Sequence, residues 1–309
     1  MKRGFLLMNT GSPDAPEEAA LRVYLKEFLM DPHVIDLPWV LRALLVHGLI
    51  LPRRPAESAK AYKKIWTKNG SPLVHYCTEL AKGLNVEVGM AYGQPSFKDA
   101  VENLLTSGVE EICLLPMFPH YAMATTGACI AGVKAVLKNR AALRVAPPFF
   151  NEPTFIAPLA ASLDDVDEHI LFTYHGLPER HLEKDARTAN YQIQCMETTR
   201  LVAEAAGIPA ERYSVSFQSR LGRAKWLEPY TEETLRELPK REIRQLAVIC
   251  PSFFCDCLET LEEIEIRGKE TFLKAGGESF RMIPCLNNTP AAFQCLEAMM
   301  EDADRWPLA

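Results

Sequence analysis

The sequence lacks the signatures of several common protein classes. No Gly-x-Gly-x-x-Gly follows its first predicted strand and no Walker A sequence is present, so a nucleotide cofactor has no support. No zinc-finger pairing of Cys and His is found, and the net charge of −6 argues against a nucleic-acid partner. No run reaches the roughly 18 uninterrupted apolar residues that a membrane-spanning helix needs. What remains is an ordinary globular composition over 309 residues, enough for two domains or one large α/β unit.

The cysteines indicate free thiols rather than a disulfide framework. Their number is odd, most lie inside apolar or helical patterns, and no signal peptide is recognised, so we expect a reducing compartment. Cys250, Cys255 and Cys257 form the one tight cluster, but the spacing C-x4-C-x-C is not a standard zinc pattern. A metal thiolate site is therefore not expected there. The nine positions are 77, 113, 129, 195, 250, 255, 257, 285 and 295.

Strands alternate with helices through both halves of the chain. This alternation predicts an α/β fold of two Rossmann-like doubly wound domains, each a parallel sheet flanked by helices, with the active-site cleft between them. We expect the first domain at 1–148, the second at 149–289, and a C-terminal helix in 290–309 that packs back on the first domain. The predicted strands are 3–9, 86–92, 110–118, 143–147, 169–174, 213–217, 243–250 and 280–283.

Residues 37–52, here called the apolar lip, form the longest apolar stretch. Arg42, His47 and Gly48 interrupt it, and it is too short to span a bilayer. An apolar stretch with Trp39 at one end and arginines after the other suits an interfacial segment or a hydrophobic mouth. A buried core helix is the alternative.

An acidic segment follows the predicted strand 243–250, and we expect an α-helix there over about 256–274. Asp256, Glu259 and Glu263 stand at i, i+3 and i+7, so an α-helix would place them on one face. Three like charges on one stripe repel each other, which a bound cation or a protonated carboxylate would relieve. A solvated first helical turn, favoured by the helix dipole, is the alternative.

His175 is the histidine whose setting is most informative. It directly follows the strand HILFTY and precedes Gly176-Leu177-Pro178. A neutral imidazole there presents a nitrogen lone pair to a proton or to a borderline metal, while capping of backbone groups is the alternative. If the His175 imidazole lies opposite the carboxylates of the acidic segment, the two together suit proton transfer or the brief binding of a divalent cation. We therefore expect a metal as substrate rather than as cofactor.

Six long segments carry a family resemblance: LLMNTGSP, PHYAMATTGA, LFTYHGLPERH, YQIQC, FQSRLGRAKWLEPYTEETL and CPSFFCDCLETLEEIEIRGKETFLKAGG. They resemble the ferrochelatases, those of proteobacteria in particular, from Leu6 to about Pro290. The resemblance implies a lyase that inserts Fe²⁺ into protoporphyrin IX with release of two protons, the terminal step of haem synthesis, with no required cofactor. His175 and Glu259 match the family's central pair, catalytic and metal-binding. Asp256 and Glu263 match acidic positions that continue away from the porphyrin as a path for protons or metal.

Porphyrin binding calls for apolar walls and for cations that meet the propionates. Tyr121, Phe118 and Trp226, together with the apolar lip, are the candidates for the walls. Arg220 and Arg53 are the candidates for the cations.

The chain departs from the family pattern at several positions. Thr10 stands where some relatives have a tyrosine near the metal, Ala91 replaces an arginine, and Cys257 stands where many relatives have histidine. Met123 occupies the loop position of a cysteine that binds the [2Fe–2S] cluster of the animal enzymes, and the cysteines of their C-terminal extension are not found. A cluster of that type is not supported. An internal cluster using Cys195, Cys250, Cys255 or Cys257 is left as an alternative.

Three other functions are alternatives to the expected ferrochelatase activity. A chelatase that prefers coproporphyrin or inserts cobalt is the nearest, and a porphyrin or haem carrier without turnover comes from a different class. A redox sensor built on the cysteine cluster is the weakest. The expected location is cytoplasmic, with peripheral contact to the inner membrane through residues 37–52 as a further option.

Overall fold

The computed structural model describes residues 2–222 and 224–309, which divide into two compact units. Unit 1 holds the described residues up to Phe118 together with Ala122–Pro147 and Phe293–Ala309. Unit 2 holds Pro119–Tyr121 and Pro148–Ala292.

Unit 1 is built on a four-stranded parallel sheet of order β2-β1-β3-β4. All six residues of β3 are buried, as expected of a parallel strand covered on both faces. In the register, Leu6 of β1 pairs with Glu87 of β2 and with Leu114 of β3. The strands are β1 Arg3–Ser12, β2 Glu87–Gly93, β3 Glu111–Pro116 and β4 Ala142–Val145.

Helices flank this sheet. Ser96 caps the helix that follows it, as its side chain accepts a hydrogen bond from the Lys98 N–H at 3.2 Å. Ser71 precedes a helix that starts with Pro72, but its side chain makes no capping hydrogen bond. The helices are α1 Glu18–Leu29, α2 Trp39–Ala43, α3 Arg54–Ile65, α4 Pro72–Leu84, α5 Phe97–Thr106 and α6 Ala128–Leu137, with π-helical turns at Leu44–Ile50 and Met123–Gly127.

The apolar lip folds as α2 and the π-helical turn after it. Val46 is fully buried, whereas Trp39 is 67% exposed and Leu44 66% exposed. A plain buried core helix is therefore wrong for this segment. Across residues 2–222 and 224–309, no helix is both long and apolar enough to cross a bilayer.

Unit 2 contains a second four-stranded parallel sheet, of order β6-β5-β7-β8. The central strand β5 pairs with β6 on one side and with β7 on the other. The fold class predicted from the alternation, two parallel sheets flanked by helices, is confirmed. The strands are β5 His169–His175, β6 Tyr213–Gln218, β7 Gln245–Ile249 and β8 Ser279–Met282.

Two helices of unit 2 were not predicted, α7 Pro153–Ala161 and α8 Glu179–Lys184. The expected α-helix over 256–274 is wrong in its start and type, because a π-helix runs over Leu258–Gly268 before an α-helix takes over. The remaining helices are α9 Tyr191–Ala205, α10 Thr231–Glu237, α11 Lys269–Lys274 and α12 Pro290–Glu301, most of which belongs to unit 1.

Candidate active site

The carboxyl ends of three neighbouring strands bring the candidate residues of unit 2 together. His175 is the last residue of β5 and pairs in register with Gln218, the last residue of β6. The His175 N–H donates to Ser252 Oγ at 3.0 Å, which ties the end of β5 to the loop after β7. Since ligands of open α/β sheets bind at the carboxyl ends of strands, this edge of the sheet is the candidate active site of unit 2.

The His175 ring has a defined tautomer. Its Nδ1 lies 2.7 Å from the Gly176 carbonyl oxygen, and because a carbonyl oxygen only accepts, Nδ1 carries the proton. In the neutral ring Nε2 is then the nitrogen with a lone pair, free to take a proton or a metal. The ring centroid lies 6.5 Å from that of Trp226 and 6.3 Å from that of Phe253.

Glu263 is held by the residue that follows β6. Its carboxylate accepts hydrogen bonds from the Ser219 N–H at 2.8 Å and from Ser219 Oγ at 2.6 Å. Burial raises the pKa of Glu263 above its ordinary value and outweighs the Ser219 hydrogen bonds, which lower it. A positive charge on His175 would lower the pKa of Glu263, and the negative charge of Glu259 raises it, so Glu263 interacts electrostatically with each of these two groups.

Glu259 lies in the first turn of the π-helix, where the helix dipole favours a negative charge. Its backbone carbonyl accepts a hydrogen bond from Gln218 Nε2 at 2.8 Å. The other end of the Gln218 amide accepts from Thr173 Oγ1 at 3.1 Å. The Gln218 side chain thus links β5 to the start of the acidic helix.

Asp256 does not share the face of Glu259 and Glu263. It lies before the helix, because Cys257 is the N-cap residue. Its Oδ1 accepts from Thr260 Oγ1 at 2.9 Å and its Oδ2 from Asn287 Nδ2 at 2.7 Å. The predicted stripe of three carboxylates on one helical face is therefore wrong, and Asp256 fixes the start of the helix to the 285–287 segment.

The candidate wall residues of unit 2 occupy two different settings. Trp226 lies beside His175, and among the described residues its buried Nε1 finds no hydrogen-bond partner. The Tyr121 hydroxyl donates to Asp185 Oδ2 at 3.0 Å. The Arg187 guanidinium lies 4.5 Å from the centre of the Tyr121 ring.

The candidate cations are both exposed. Arg220 stacks over the Tyr230 ring at 4.3 Å and lies 3.7 Å from Glu233. Arg53 directly precedes α3 in unit 1. Phe118, also in unit 1, packs against that unit's hydrophobic core. The structure thus groups His175, Glu259, Glu263 and Trp226 in unit 2, while Arg53 and Phe118 belong to the other unit.

No resident metal site is preassembled in the part of the chain that the structure describes, since no three His, Cys, Asp or Glu side chains there are placed to hold one ion. All nine cysteines are buried, and none of them forms a disulfide. Burial raises the pKa values of Cys250, Cys257 and Cys285 well above the ordinary value of a thiol.

No role was predicted from the sequence for Ser219 or Ser252, and Cys257 was considered only as a ligand of an internal cluster. Gln218 and Ser219 stand directly at the end of a predicted strand, and that position was the available signal. Ser252 and Cys257 follow the predicted strand 243–250, so the same signal was available for them.

Comparison with known proteins gives the family. The family model described as ferrochelatase matches residues 2–304. The chain belongs to the ferrochelatase family. It is 44% identical to the ferrochelatase of Ectopseudomonas mendocina (strain ymp), with 96% of this chain and 97% of the relative covered. It is 43% identical to the ferrochelatase of Pseudomonas aeruginosa PAO1, with the same shares covered. The predicted family and its enzyme class, a lyase acting as a metal chelatase, are confirmed.

Solved structures support the fold. SirB from Bacillus subtilis with Fe³⁺ superposes with a TM-score of 0.60 at 11% identity, covering 98% of this chain and 96% of SirB. The sirohydrochlorin chelatase SirB of Bacillus subtilis subspecies spizizenii, in complex with cobalt, gives a TM-score of 0.56 at 13% identity, with 99% and 97% covered. At this identity the likeness concerns the fold alone.

Proposed function

We propose that this member of the ferrochelatase family inserts Fe²⁺ into protoporphyrin IX and releases two protons, giving protohaem. The observation that carries the proposal is the state of His175, whose Nδ1 is committed to the Gly176 carbonyl. Nε2 is therefore the ring nitrogen that can bind a metal or a proton, and His175 and Glu259 both interact electrostatically with Glu263. Because the porphyrin loses two N–H protons for each cation it gains, the site needs both proton acceptors and exchangeable metal ligands.

We assign His175 and Glu259 as the catalytic residues and as the groups offered to the metal. An imidazole and a carboxylate suit a borderline divalent cation that must be bound and then released. Glu263 follows Glu259 by four residues on the same helix, and its raised pKa brings the carboxyl closer to the range in which it can take up and pass on a proton. Asp256 completes the proposed path as the residue at the start of the helix.

The porphyrin is proposed to bind against Tyr121, Phe118 and Trp226. A buried Trp226 Nε1 without a partner among the described residues is a donor that a bound substrate can satisfy. Arg220 and Arg53 are proposed to meet the propionates. Both guanidinium groups are exposed, and the contact of Arg220 with Glu233, at 3.7 Å, is loose enough to exchange for a propionate.

We further propose a cytoplasmic protein that touches the membrane surface through the apolar lip. Five exposed apolar side chains on one short segment support this. They are Trp39, Val40, Leu41, Leu44 and Leu49.

The test is anaerobic incubation of Fe²⁺ with protoporphyrin, in which metal insertion is followed by loss of porphyrin fluorescence. Wild type should turn over, while His175→Ala and Glu259→Gln should lose activity by at least about 100-fold. Glu265→Gln is the matched control, because Glu265 lies on the same helix with an exposed side chain.

Two results would contradict the proposal. Turnover that survives in both variants would remove the assigned pair, and porphyrin binding without turnover in wild type would indicate a carrier. Parallel reactions with coproporphyrin and with Co²⁺ decide the substrate and metal preference.

A further inference from the structure

The Gln218 side chain is buried at the carboxyl end of β6, with only 2% of the residue exposed. Its Nε2 donates to the backbone carbonyl of Glu259 at 2.8 Å, and its Oε1 accepts from Thr173 Oγ1 at 3.1 Å. With the amide turned over, Oε1 would face the Glu259 carbonyl, and two oxygens that only accept repel each other. The amide therefore has one stable orientation, with its donor toward Glu259.

The backbone of Gln218 holds the segment that carries His175. The Gln218 carbonyl oxygen accepts a hydrogen bond from the Gly176 N–H at 2.8 Å. Gly176 is also the residue whose carbonyl lies 2.7 Å from His175 Nδ1. A Cβ on Gly176 would come within 2.8 Å of the Gln218 oxygen, so a larger residue would displace this contact. Gln218 thus contacts both the end of β5 and the first turn that carries Glu259.

Three buried hydroxyl groups continue from the Gln218 amide into the interior of unit 2. Thr173 Oγ1 lies 2.7 Å from Thr231 Oγ1, which lies 2.9 Å from Ser216 Oγ. Thr173 gives its proton to Gln218, so Thr231 donates to Thr173 and Ser216 donates to Thr231. The hydrogen bonds therefore all run in one direction, from Ser216 to the Glu259 carbonyl. Hydrogen bonds aligned in this way strengthen one another.

These hydroxyl groups stand where apolar side chains would fill the same space. Thr173 and Ser216 are fully buried, and Thr231 is 3% exposed. A buried polar group is costly unless its partners are all in place, whereas a valine or an alanine needs none. A fully connected polar network instead specifies one geometry. Core packing alone therefore does not account for this chain of hydroxyl groups, which ends on the residue that carries a proposed metal ligand.

We infer that Gln218 is a positioning residue, which fixes Glu259 relative to His175. The three hydroxyl groups behind Gln218 hold its amide in the orientation that this requires. The inference rests on the proposed function, since it concerns the same pair of metal-binding groups. Because the metal must meet both groups at once, a small change in their separation costs a large part of the rate.

The first experiment removes the amide of Gln218 and keeps the length of the side chain. Gln218→Met fills nearly the same space without a hydrogen-bond donor. We expect it to lower kcat for iron insertion by about 10- to 100-fold, because Glu259 is no longer fixed. The porphyrin KM should be unchanged, since Gln218 is not among the porphyrin-binding residues. Urea unfolding of each variant shows that folded proteins are compared.

The second experiment acts two hydrogen bonds away from Gln218. Thr231→Val removes the middle hydroxyl and should lower kcat by about 2- to 10-fold, the equivalent of one neutral hydrogen bond. Thr231→Ser keeps the hydroxyl and should restore most of the activity. Thr199→Val is the matched control, because Thr199 is also buried and hydrogen-bonded, to the Tyr174 hydroxyl at 2.7 Å, but lies outside the chain. It should have wild-type kcat.

Metal binding tests whether Gln218 acts through Glu259, without a need for turnover. We expect Zn²⁺ alone, titrated by calorimetry, to bind about tenfold more weakly to Gln218→Met than to wild type. In a Glu259→Gln background the same substitution should change nothing.

Three outcomes would overturn the inference: wild-type kcat in folded Gln218→Met, equal effects of this substitution on Zn²⁺ binding in both backgrounds, or a Thr199→Val variant as impaired as Thr231→Val. A wild type that inserts no iron, but whose Zn²⁺ binding still depends on Gln218, would contradict only the proposed function. The two failures are therefore distinguishable.

Discussion

Ser219 donates two hydrogen bonds to one carboxylate, that of Glu263, from its N–H at 2.8 Å and from its Oγ at 2.6 Å. It does so with φ +66°, in the left-handed region that non-glycine residues seldom adopt. Such a conformation costs about 1–2 kcal/mol and persists only where the surrounding fold enforces it. Here the strained backbone directs both donors at the acidic helix.

Replacing Ser219 separates the two contributions. Ser219→Ala removes the hydroxyl donor but keeps the strain, and we expect it to destabilise the fold by about 1.5–3 kcal/mol, the range for a hydrogen bond to a charged group. Ser219→Gly removes the same hydroxyl and relieves the strain, so it should be more stable than the alanine variant by about 1 kcal/mol. Urea unfolding measures both. Equal stabilities would show that the backbone at this position is not strained.

Glu263 should make stability depend on pH in an unusual direction. Burial is the main cause that raises the pKa of Glu263 in the folded state. The folded protein therefore keeps the carboxyl proton of Glu263 to a higher pH than the unfolded chain does. The stability that protonated Glu263 contributes is fully present below its pKa in the unfolded chain, and it is lost as the pH rises through its pKa in the folded protein. Glu263→Gln removes that titration, so the stability of wild type minus that of the variant should fall between about pH 4 and the folded pKa. Unfolding free energies measured across this range check it, and a rising difference would contradict it.

The strands of both sheets could be predicted because each is a short apolar run bounded by turn residues. Predicted and observed ends agree within about three residues, as in β5, expected at 169–174 and found at His169–His175. Helix α7 was missed because Pro153 and Pro158 are typical of a linker, although the first lies where a helix tolerates proline.

Part of the site depended on features that local pattern does not encode. The position of His175 at the end of a strand could be predicted from the sequence. Its tautomer could not, because the tautomer depends on the contact of Nδ1 with the Gly176 carbonyl. The start of the acidic helix was misplaced because Asp256 is a preferred N-cap type, whereas the cap is Cys257. The π-helical hydrogen bonding of Leu258–Gly268 has no signature in the spacing of the acidic residues.

Asp256 should behave first as a structural anchor. Beyond its two side-chain partners, its own N–H donates to Asn287 Oδ1 at 2.8 Å, so Asp256 and Asn287 hold each other reciprocally. Asp256→Ala leaves Asn287 and Thr260 without this partner, and we expect a loss of about 2–4 kcal/mol by urea unfolding. Asp256→Asn keeps the shape and an acceptor, so it should lose less than half as much. If the proposed path uses its charge, the asparagine variant should be stable yet slow in iron insertion.

The apolar lip should contact anionic lipid surfaces. We expect the fluorescence of Trp39 to shift to shorter wavelength when vesicles containing anionic lipids are added, because an exposed indole would enter the interface. Leu44→Glu should weaken vesicle binding by about tenfold or more, through lost apolar burial and repulsion by the lipid charge. Leu308→Glu is the matched control, as Leu308 is equally exposed in the same unit but lies outside the lip. Co-sedimentation with vesicles measures both, and equal binding of the two variants would exclude the lip as the contact.

Glu111 should be the carboxylate whose loss most destabilises unit 1. Its side chain is 1% exposed and lies between Arg3 Nε and Arg144 Nε, each at 2.7 Å. Burial raises its pKa, but the hydrogen bonds from Arg144 and Arg3 outweigh this, so the net pKa is lowered. A lowered folded pKa gives stability that is present above the unfolded pKa and is lost as pH falls through the folded one.

Glu111→Gln should therefore cost about 3–5 kcal/mol at neutral pH, because it leaves two arginines around a neutral group. The difference from wild type should shrink as pH falls below about 4. Glu102→Gln is the matched control, since Glu102 also pairs with an arginine, Arg140, but is half exposed, and its loss should destabilise the protein much less. Chemical unfolding of all three proteins at neutral and acid pH measures these values. If the Glu111 variant were no less stable than the Glu102 variant, the ion pairs of Glu111 with Arg3 and Arg144 would not be what holds the start of β3 against β1 and β4.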